Sequence, residues 1–198
     1  MRFGDFTLKS GRHSPYFFNT GQFNTGTRLA KLGEFYAKTL QYAGVQADVL
    51  YGPAYKGIPL VCAVAIAWAR ETGQEIPFAF NRKEAKDHGE GGVLVGASLS
   101  GSVLIVDDVI TAGTSVRESV AIIEAAGARP SGVLITLDRQ EKGLNEISAV
   151  QEVIERHRMP VYAIVKLEHI LEFLDAEGRT QEFASIRDYQ MNFGSRIT

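Results

Sequence analysis

The stretch Val103-Leu104-Ile105-Val106-Asp107-Asp108-Val109-Ile110-Thr111-Ala112-Gly113-Thr114-Ser115 joins an apolar, β-branched run to two adjacent acids and then to a loop of small and hydroxyl-bearing residues. A helical pattern opens at Val116. Consecutive apolar positions mark a strand buried on both faces, as in a parallel sheet. The loop then lies at a strand's carboxyl end, where open α/β sheets bind ligands. Its small residues let backbone N–H groups close around an anion, its hydroxyls add donors, and the helix start adds the positive end of a dipole. The two acids would repel a phosphate. They suit vicinal hydroxyls of a sugar, or a metal, and a sugar phosphate satisfies both halves of the stretch. One Asp at a strand end often only caps the next helix. Two in succession fit that role poorly, because an unpaired buried carboxylate is costly.

Outward from this centre, strands and helices alternate. Leu29, Leu32, Phe35, Tyr36, Leu40 and Ala43 recur at helical spacing up to Gly44. Asp48–Tyr51 reads as a strand, Gly52–Gly57 as a loop, and Ile58–Glu71 as a helix with Pro59 in its first turn. Pro77–Phe80 is a short strand, and the polar segment Lys83–Gly92 reads as a loop. Beyond the helix Val116–Ala126 come a strand at Gly132–Leu137 and a helical stripe at Ile147, Val150, Val153 and Ile154. The last strand follows at Pro160–Val165, then a helix at Glu168–Ala176, with the polar tail after it helical in part. The pattern predicts one α/β domain over residues 1–198, with a mostly parallel central sheet flanked by helices. The first 27 or so residues break the alternation, with Phe3, Phe6, Tyr16, Phe17, Phe18 and Phe23 separated by glycines. They are read as a small hood over the sheet's edge.

The 198 residues are 45% apolar with a formal net charge of −2, so no basic bulk suggests nucleic-acid binding. The longest apolar candidate, Ile58–Ala69, is too short to span a membrane, and the polar start Met1-Arg2-Phe3-Gly4-Asp5 is unlike a signal peptide. The single Cys62 excludes an intramolecular disulfide and reads as a core residue. A cytoplasmic enzyme is expected. His13, His157 and His169 match no functional pattern and are expected at the surface.

Three further segments carry chemistry. Gly52-Pro53-Ala54-Tyr55-Lys56-Gly57 is either a plain strand–helix connection or a second anion loop, with Lys56 as a point charge. Arg82, Lys83, Lys86 and His88 precede a glycine-rich run ending at Gly92. That is either a solvated loop or a cationic flap over residues 83–92, able to close on a polyphosphate and exclude water. Arg139, just past the strand ending at Leu137, offers a planar fork to a carboxylate. Phe17 and Phe18 face opposite ways if they lie on a strand, and they serve either as core or as a surface for a planar base.

Together these segments, from about Phe3 to Val165, resemble the type I phosphoribosyltransferases, which bind 5-phosphoribosyl-1-pyrophosphate. The string from Phe80 to Gly92, and that from Phe6 to Asn19, are similar to the orotate phosphoribosyltransferases, the pyrimidine-pathway branch of the family. The resemblance implies transfer of the phosphoribosyl group to orotate, giving orotidine 5′-monophosphate and pyrophosphate. Asp107 and Asp108 would take the ribose hydroxyls, and Thr111, Ala112, Gly113, Thr114 and Ser115 the 5′-phosphate, with Val109 and Ile110 between them also binding the phosphoribosyl donor. Tyr55 and Lys56 would sit in the pyrophosphate loop, with a non-proline cis peptide near Ala54-Tyr55. Arg82, Lys86 and His88 would act in the partner subunit's site of a homodimer, and Lys83 in its own. Lys86, His88, Asp107 and Asp108 would be the catalytic group. Lys9 would reach the substrates, while Phe17, Phe18, Thr111 and Arg139 would contact orotate. Mg2+ would be held mainly by substrate oxygens and water, with no protein metal ligand. The family usually carries one more helix ahead of the segment that starts here at Arg2, so either a truncated start or a smaller hood is expected. The alternatives are a phosphoribosyltransferase for another base and a regulatory protein that senses the phosphoribosyl donor without catalysis. Phe17, Phe18 and Arg139 favour an acidic pyrimidine, and Lys86 and His88 favour an enzyme.

Overall fold

The computed structural model describes residues 1–8, 11–86, 92–111, 113–143 and 147–195, with the side chains of residues 85, 86 and 92 outside the description. Two sheets form. The strands β1 (Arg2–Thr7) and β2 (His13–Phe17) pair antiparallel as a separate hairpin. The main sheet holds β3 (Val49–Gly52), β4 (Phe78–Lys86), β5 (Gly92–Gly96), β6 (Ser102–Val106), β7 (Arg129–Asp138) and β8 (Val161–Lys166). Its order is β5-β4-β3-β6-β7-β8, all parallel except β5, which runs antiparallel to β4.

Alternation along the buried strands divides the core. Val103 and Ile105 face α3 (Thr114–Ala125) and α4 (Ala149–His157), joining Val116, Val120, Ile123 and Val153. Leu104 and Val106 face the other way, onto α1 (Gly26–Tyr42) and α2 (Gly57–Thr72), joining Leu32, Tyr36, Leu60 and Val64. A third cluster at the end of β7 packs α5 (Leu167–Ala176) and α6 (Thr180–Phe193) against Tyr16 of the hairpin. The hood therefore rests on the C-terminal helices, and the tail expected to be partly helical carries α6 over Thr180–Phe193.

The strand order reverses between β3 and β6: β4 lies on one side of β3, and β6 with its followers on the other. The crevice at such a switch point, beyond the strands' carboxyl ends, is where these sheets bind ligands. The loop after β3 and the acid pair after β6 both open into it.

Four readings of the sequence need correction. Residues 83–86 belong to β4 rather than to a loop, and Gly92–Gly96 is a strand that the pattern did not announce. This antiparallel pair forms one edge of the sheet, where polar residues such as Arg82 and Glu84 interrupt the pattern in the second half of β4. Strand β5 offers only the three apolar residues Val93–Val95 between glycines, too short a run to announce itself. Helix α3 starts at Thr114, two residues ahead of Val116, because Gly113 takes the left-handed conformation at its N-cap (φ 65°). Helix α4 starts at Ala149, because Ser148 and Gln151 form a capping box, leaving Ile147 outside it. His157 is half-buried rather than at the surface.

Candidate active site

Asp107 and Asp108 lie one after the other past the end of β6, each 7% exposed. The β6–β7 ladder continues under them: Asp107 N–H donates to Leu134 O (3.0 Å) and Thr136 N–H to Asp108 O (2.9 Å). Tyr36, fully buried on α1, donates its hydroxyl to Asp107 O at 2.7 Å and also meets the hydroxyl of Thr136. The backbone of the pair is thus fixed from the sheet and from below.

The two carboxylates then do different things. Asp107 turns to the loop that follows: Oδ1 accepts from Asp108 N–H and Oδ2 from Ser115 Oγ, both at 2.8 Å. Burial raises its pKa from an ordinary 3.8 to about 6, although the hydrogen bonds from Asp108 N–H and Ser115 pull it down. Asp108 faces the crevice. Its Oδ2 accepts from Lys56 Nζ (2.5 Å) and Thr20 Oγ1 (3.1 Å), and its Oδ1 from Val109 N–H (2.8 Å). Lys56 comes from the loop after β3, and Thr20 from the short 3-10 turn Thr20–Gln22 that follows the hood.

The loop Gly52–Gly57 is closed tightly. A Cβ on Gly52 would stand 2.3 Å from Gly57 O, and one on Gly57 2.6 Å from the Pro53 ring, so neither position admits a side chain without movement. Gly57 N–H donates to Pro53 O, and Ala54 N–H to Asn81 Oδ1 on β4, each at 2.9 Å. The peptide Ala54–Tyr55 is cis, where the resemblance places one. Tyr55 is 67% exposed, and Lys83 Nζ stands 5.1 Å from its ring centre. Helix α3 starts at this crevice without a side-chain cap or an acid in its first turn, a start suited to an anion. In α2, by contrast, the N–H groups of Gly57 and Ile58 already donate to Pro53 O and Tyr55 O, and Pro59 carries none. In the second loop Ile110 is buried in the core, Val109 packs against the hood cluster, Thr111 is exposed, and Thr114 Oγ1 accepts from Arg117 at 2.9 Å.

The base-recognition candidates form a second group, around the hood. Arg139 follows β7 and lies over the Tyr16 ring, 4.3 Å from its centre. Its Nε and Nη2 both reach Glu141 Oε1 (2.8 and 2.7 Å), and Nη2 also reaches Ser14 Oγ (3.2 Å). Phe17 is 39% exposed and stacks on Phe6 with ring centres 5.6 Å apart, while Phe18 turns inward to the hood cluster. Lys9, His88 and Ala112 lie outside the described residues, as do residues 87–91 of the segment expected to be a mobile flap, and Lys86 is described by its backbone alone. Arg82 lies on β4 with its side chain half-buried.

Thr20, Tyr36, Thr136, Asn81 and Glu141 carry no role in the reading of the sequence. Only Thr136 gave a signal there, a lone hydroxyl inside the apolar run Val133–Leu137.

An acid pair and a lysine facing each other across a switch point, with the uncapped start of α3 beside them, define a site for a phosphorylated sugar. The model of the phosphoribosyl transferase domain matches residues 20–170. The chain is 66% identical over 195 residues to the orotate phosphoribosyltransferase of Methylococcus capsulatus, covering 98% of this chain and 92% of that protein. It is 56% identical over 195 residues to that of Hahella chejuensis, covering 98% and 91%. The crystal structure of the Francisella tularensis orotate phosphoribosyltransferase superposes with a TM-score of 0.89 at 42% identity, covering 98% of this chain and 94% of that one. The chain belongs to the phosphoribosyl transferase domain family. Among the described residues, no helix is long and apolar enough to cross a membrane.

Proposed function

We propose that this chain transfers the phosphoribosyl group of 5-phosphoribosyl-1-pyrophosphate to orotate, yielding orotidine 5′-monophosphate and pyrophosphate in the making of pyrimidine nucleotides. The observation that carries the reading is the Asp107–Asp108 pair, set between the loop Thr111–Ser115 and the loop Gly52–Gly57. In this reading Asp108, with Asp107 behind it, holds the ribose hydroxyls and stabilises the positive charge that develops at the sugar's anomeric carbon. N–H groups and hydroxyls of Thr111–Ser115 hold the 5′-phosphate. Lys56, Tyr55 and Lys83 line the diphosphate's side, with Arg82, Lys86 and His88 supplied from the other subunit of the dimer. Orotate N1 attacks the anomeric carbon as the bond to the diphosphate oxygen breaks, and no covalent enzyme intermediate is required. Lys56 and Asp108 pair with each other in this structure, so the donor must take over both partners of that ion pair.

No group of three or more metal-ligating side chains occurs among the described residues. Mg2+ is part of the proposal, as an ion that keeps most of its waters and binds through substrate phosphates. Such an ion would neutralise charge on the departing diphosphate. A homodimer with shared sites is part of the proposal. Phe35 and Tyr42, seven residues apart on one face of α1, are 48% and 97% exposed and offer apolar surface to a second copy.

Calorimetry with the phosphoribosyl donor and Mg2+ tests the site. Wild type should bind, and the double variant Asp107→Asn/Asp108→Asn should stay folded and bind at least about 100-fold more weakly, as expected when charge-assisted hydrogen bonds to hydroxyls are lost. Equal affinity would move the ribose elsewhere.

A further inference from the structure

The carboxylate of Glu141 is not part of the phosphoribosyl site, yet it is among the most heavily engaged side chains beside the crevice. Its Oε1 takes Arg139 Nε at 2.8 Å, Arg139 Nη2 at 2.7 Å and the Tyr16 hydroxyl at 2.9 Å. The Arg139 and Glu141 side chains are each only 13% exposed. A guanidinium stays charged at any working pH, so a nearly buried one needs a fixed anion. Glu141 supplies it from two residues along the chain.

The backbone is shaped to allow this. Gln140, between the two, takes φ 50°, an uncommon conformation for a residue with a side chain. It is held there: Gln140 O accepts from Ser195 N–H (2.9 Å), and Gln140 Oε1 accepts from Glu168 N–H (2.9 Å). Lys142 N–H donates to Phe193 O at 2.9 Å, and Glu141 bridges to Gly194. The end of α6 thus straps the turn that carries both charges.

We propose that Glu141 is a positioning residue for base recognition. It fixes the plane and edge of the Arg139 guanidinium so that Nη1, which takes no part in the contacts to Glu141 and Ser14, is presented to the carboxylate of the pyrimidine. The proposal rests on the reading of Arg139 as the partner of orotate. Tyr16 completes the clamp, with the guanidinium carbon over its ring at 4.3 Å from the centre and its hydroxyl anchoring Glu141. Without the glutamate's charge the arginine keeps its donors but loses its fixed direction, and each incoming base must order it anew.

Steady-state kinetics with both substrates varied, alongside thermal unfolding, tests this. In Glu141→Gln the KM for orotate should rise about tenfold, the size of effect expected from freeing one long side chain and one charged hydrogen bond. The KM for the phosphoribosyl donor should stay within about twofold. Tyr16→Phe, which removes only one hydroxyl, should shift orotate's KM the same way by about threefold. An orotate KM that is unchanged or lowered in both variants overturns the proposal, as does an equal rise for both substrates. Arg139→Ala separates the two layers. If it leaves the orotate KM unchanged, the base-site reading falls and takes this proposal with it. If it raises that KM while Glu141→Gln does not, only the positioning role falls.

Discussion

Replacing Asp107 with Asn should stabilise the protein while disabling it. The carboxyl is 7% exposed and its pKa rises from 3.8 to about 6 on folding, with burial as the first cause. A group whose pKa rises on folding contributes most below its unfolded value, and that contribution is lost as pH climbs through the folded one. At 1.36 kcal/mol per pH unit, keeping Asp107 ionised in the fold costs about 3 kcal/mol at pH 8, and about 1 kcal/mol at pH 4.5. An Asn there is always neutral. Its oxygen still accepts from Asp108 N–H and its amide donates to Ser115 Oγ, so both present contacts find partners, and the weaker bonds of a neutral group are already contained in the net pKa shift. The variant should therefore exceed wild type by about 3 kcal/mol at pH 8, or about 6–12 °C in Tm for a chain of this size, and by about 1 kcal/mol near pH 4.5. Urea unfolding at both pH values and one protein concentration measures the difference. A gap that does not shrink by about 2 kcal/mol on acidification, or a variant less stable at pH 8, would refute the reasoning.

Tyr36→Phe removes the buried hydroxyl under Asp107 O and Thr136, and should lower stability by about 1–2 kcal/mol, checked by thermal unfolding; an unchanged Tm would mean that the hydroxyl contributes nothing. Lys56→Gln should leave Tm nearly unchanged, because the amine is 58% exposed, while calorimetry shows binding of the phosphoribosyl donor weakened by about tenfold or more. Mixing inactive Lys86→Ala with inactive Asp107→Asn/Asp108→Asn should restore activity once subunits exchange, since one site of each mixed dimer then carries neither defect. Confirmed exchange without recovery would place Lys86 in its own subunit's site.

The sheet's centre was legible because its strands are buried on both faces, so Val49–Tyr51, Val103–Val106 and Val133–Leu137 announce themselves by apolar runs. The edge pair was legible only as Pro77–Phe80 at the start of β4: the mostly polar run Asn81–Lys86 hid the rest of that strand, and β5 has only Val93–Val95 between two glycines. The acid pair and the hydroxyl loop are contiguous in the chain, and contiguity made them visible. Thr20, Tyr36 and Thr136 reach the pair, or each other, across 88, 71 and 100 residues, separations that only packing closes. Tyr36 in particular hid in a helical stripe, where its ring reads as core and its hydroxyl leaves no pattern. The division of labour between the two acids was hidden too, because it depends on which way each carboxylate turns once Ser115 and Lys56 are in place.

The central claim is tested most directly by incubating the protein with orotate, 5-phosphoribosyl-1-pyrophosphate and Mg2+, and following orotate absorbance together with released pyrophosphate. The account predicts equimolar loss of orotate and gain of pyrophosphate, with uracil, which lacks the carboxylate, a far poorer acceptor. Pyrophosphate release that ignores orotate, or that proceeds as well with uracil or a purine, would contradict it.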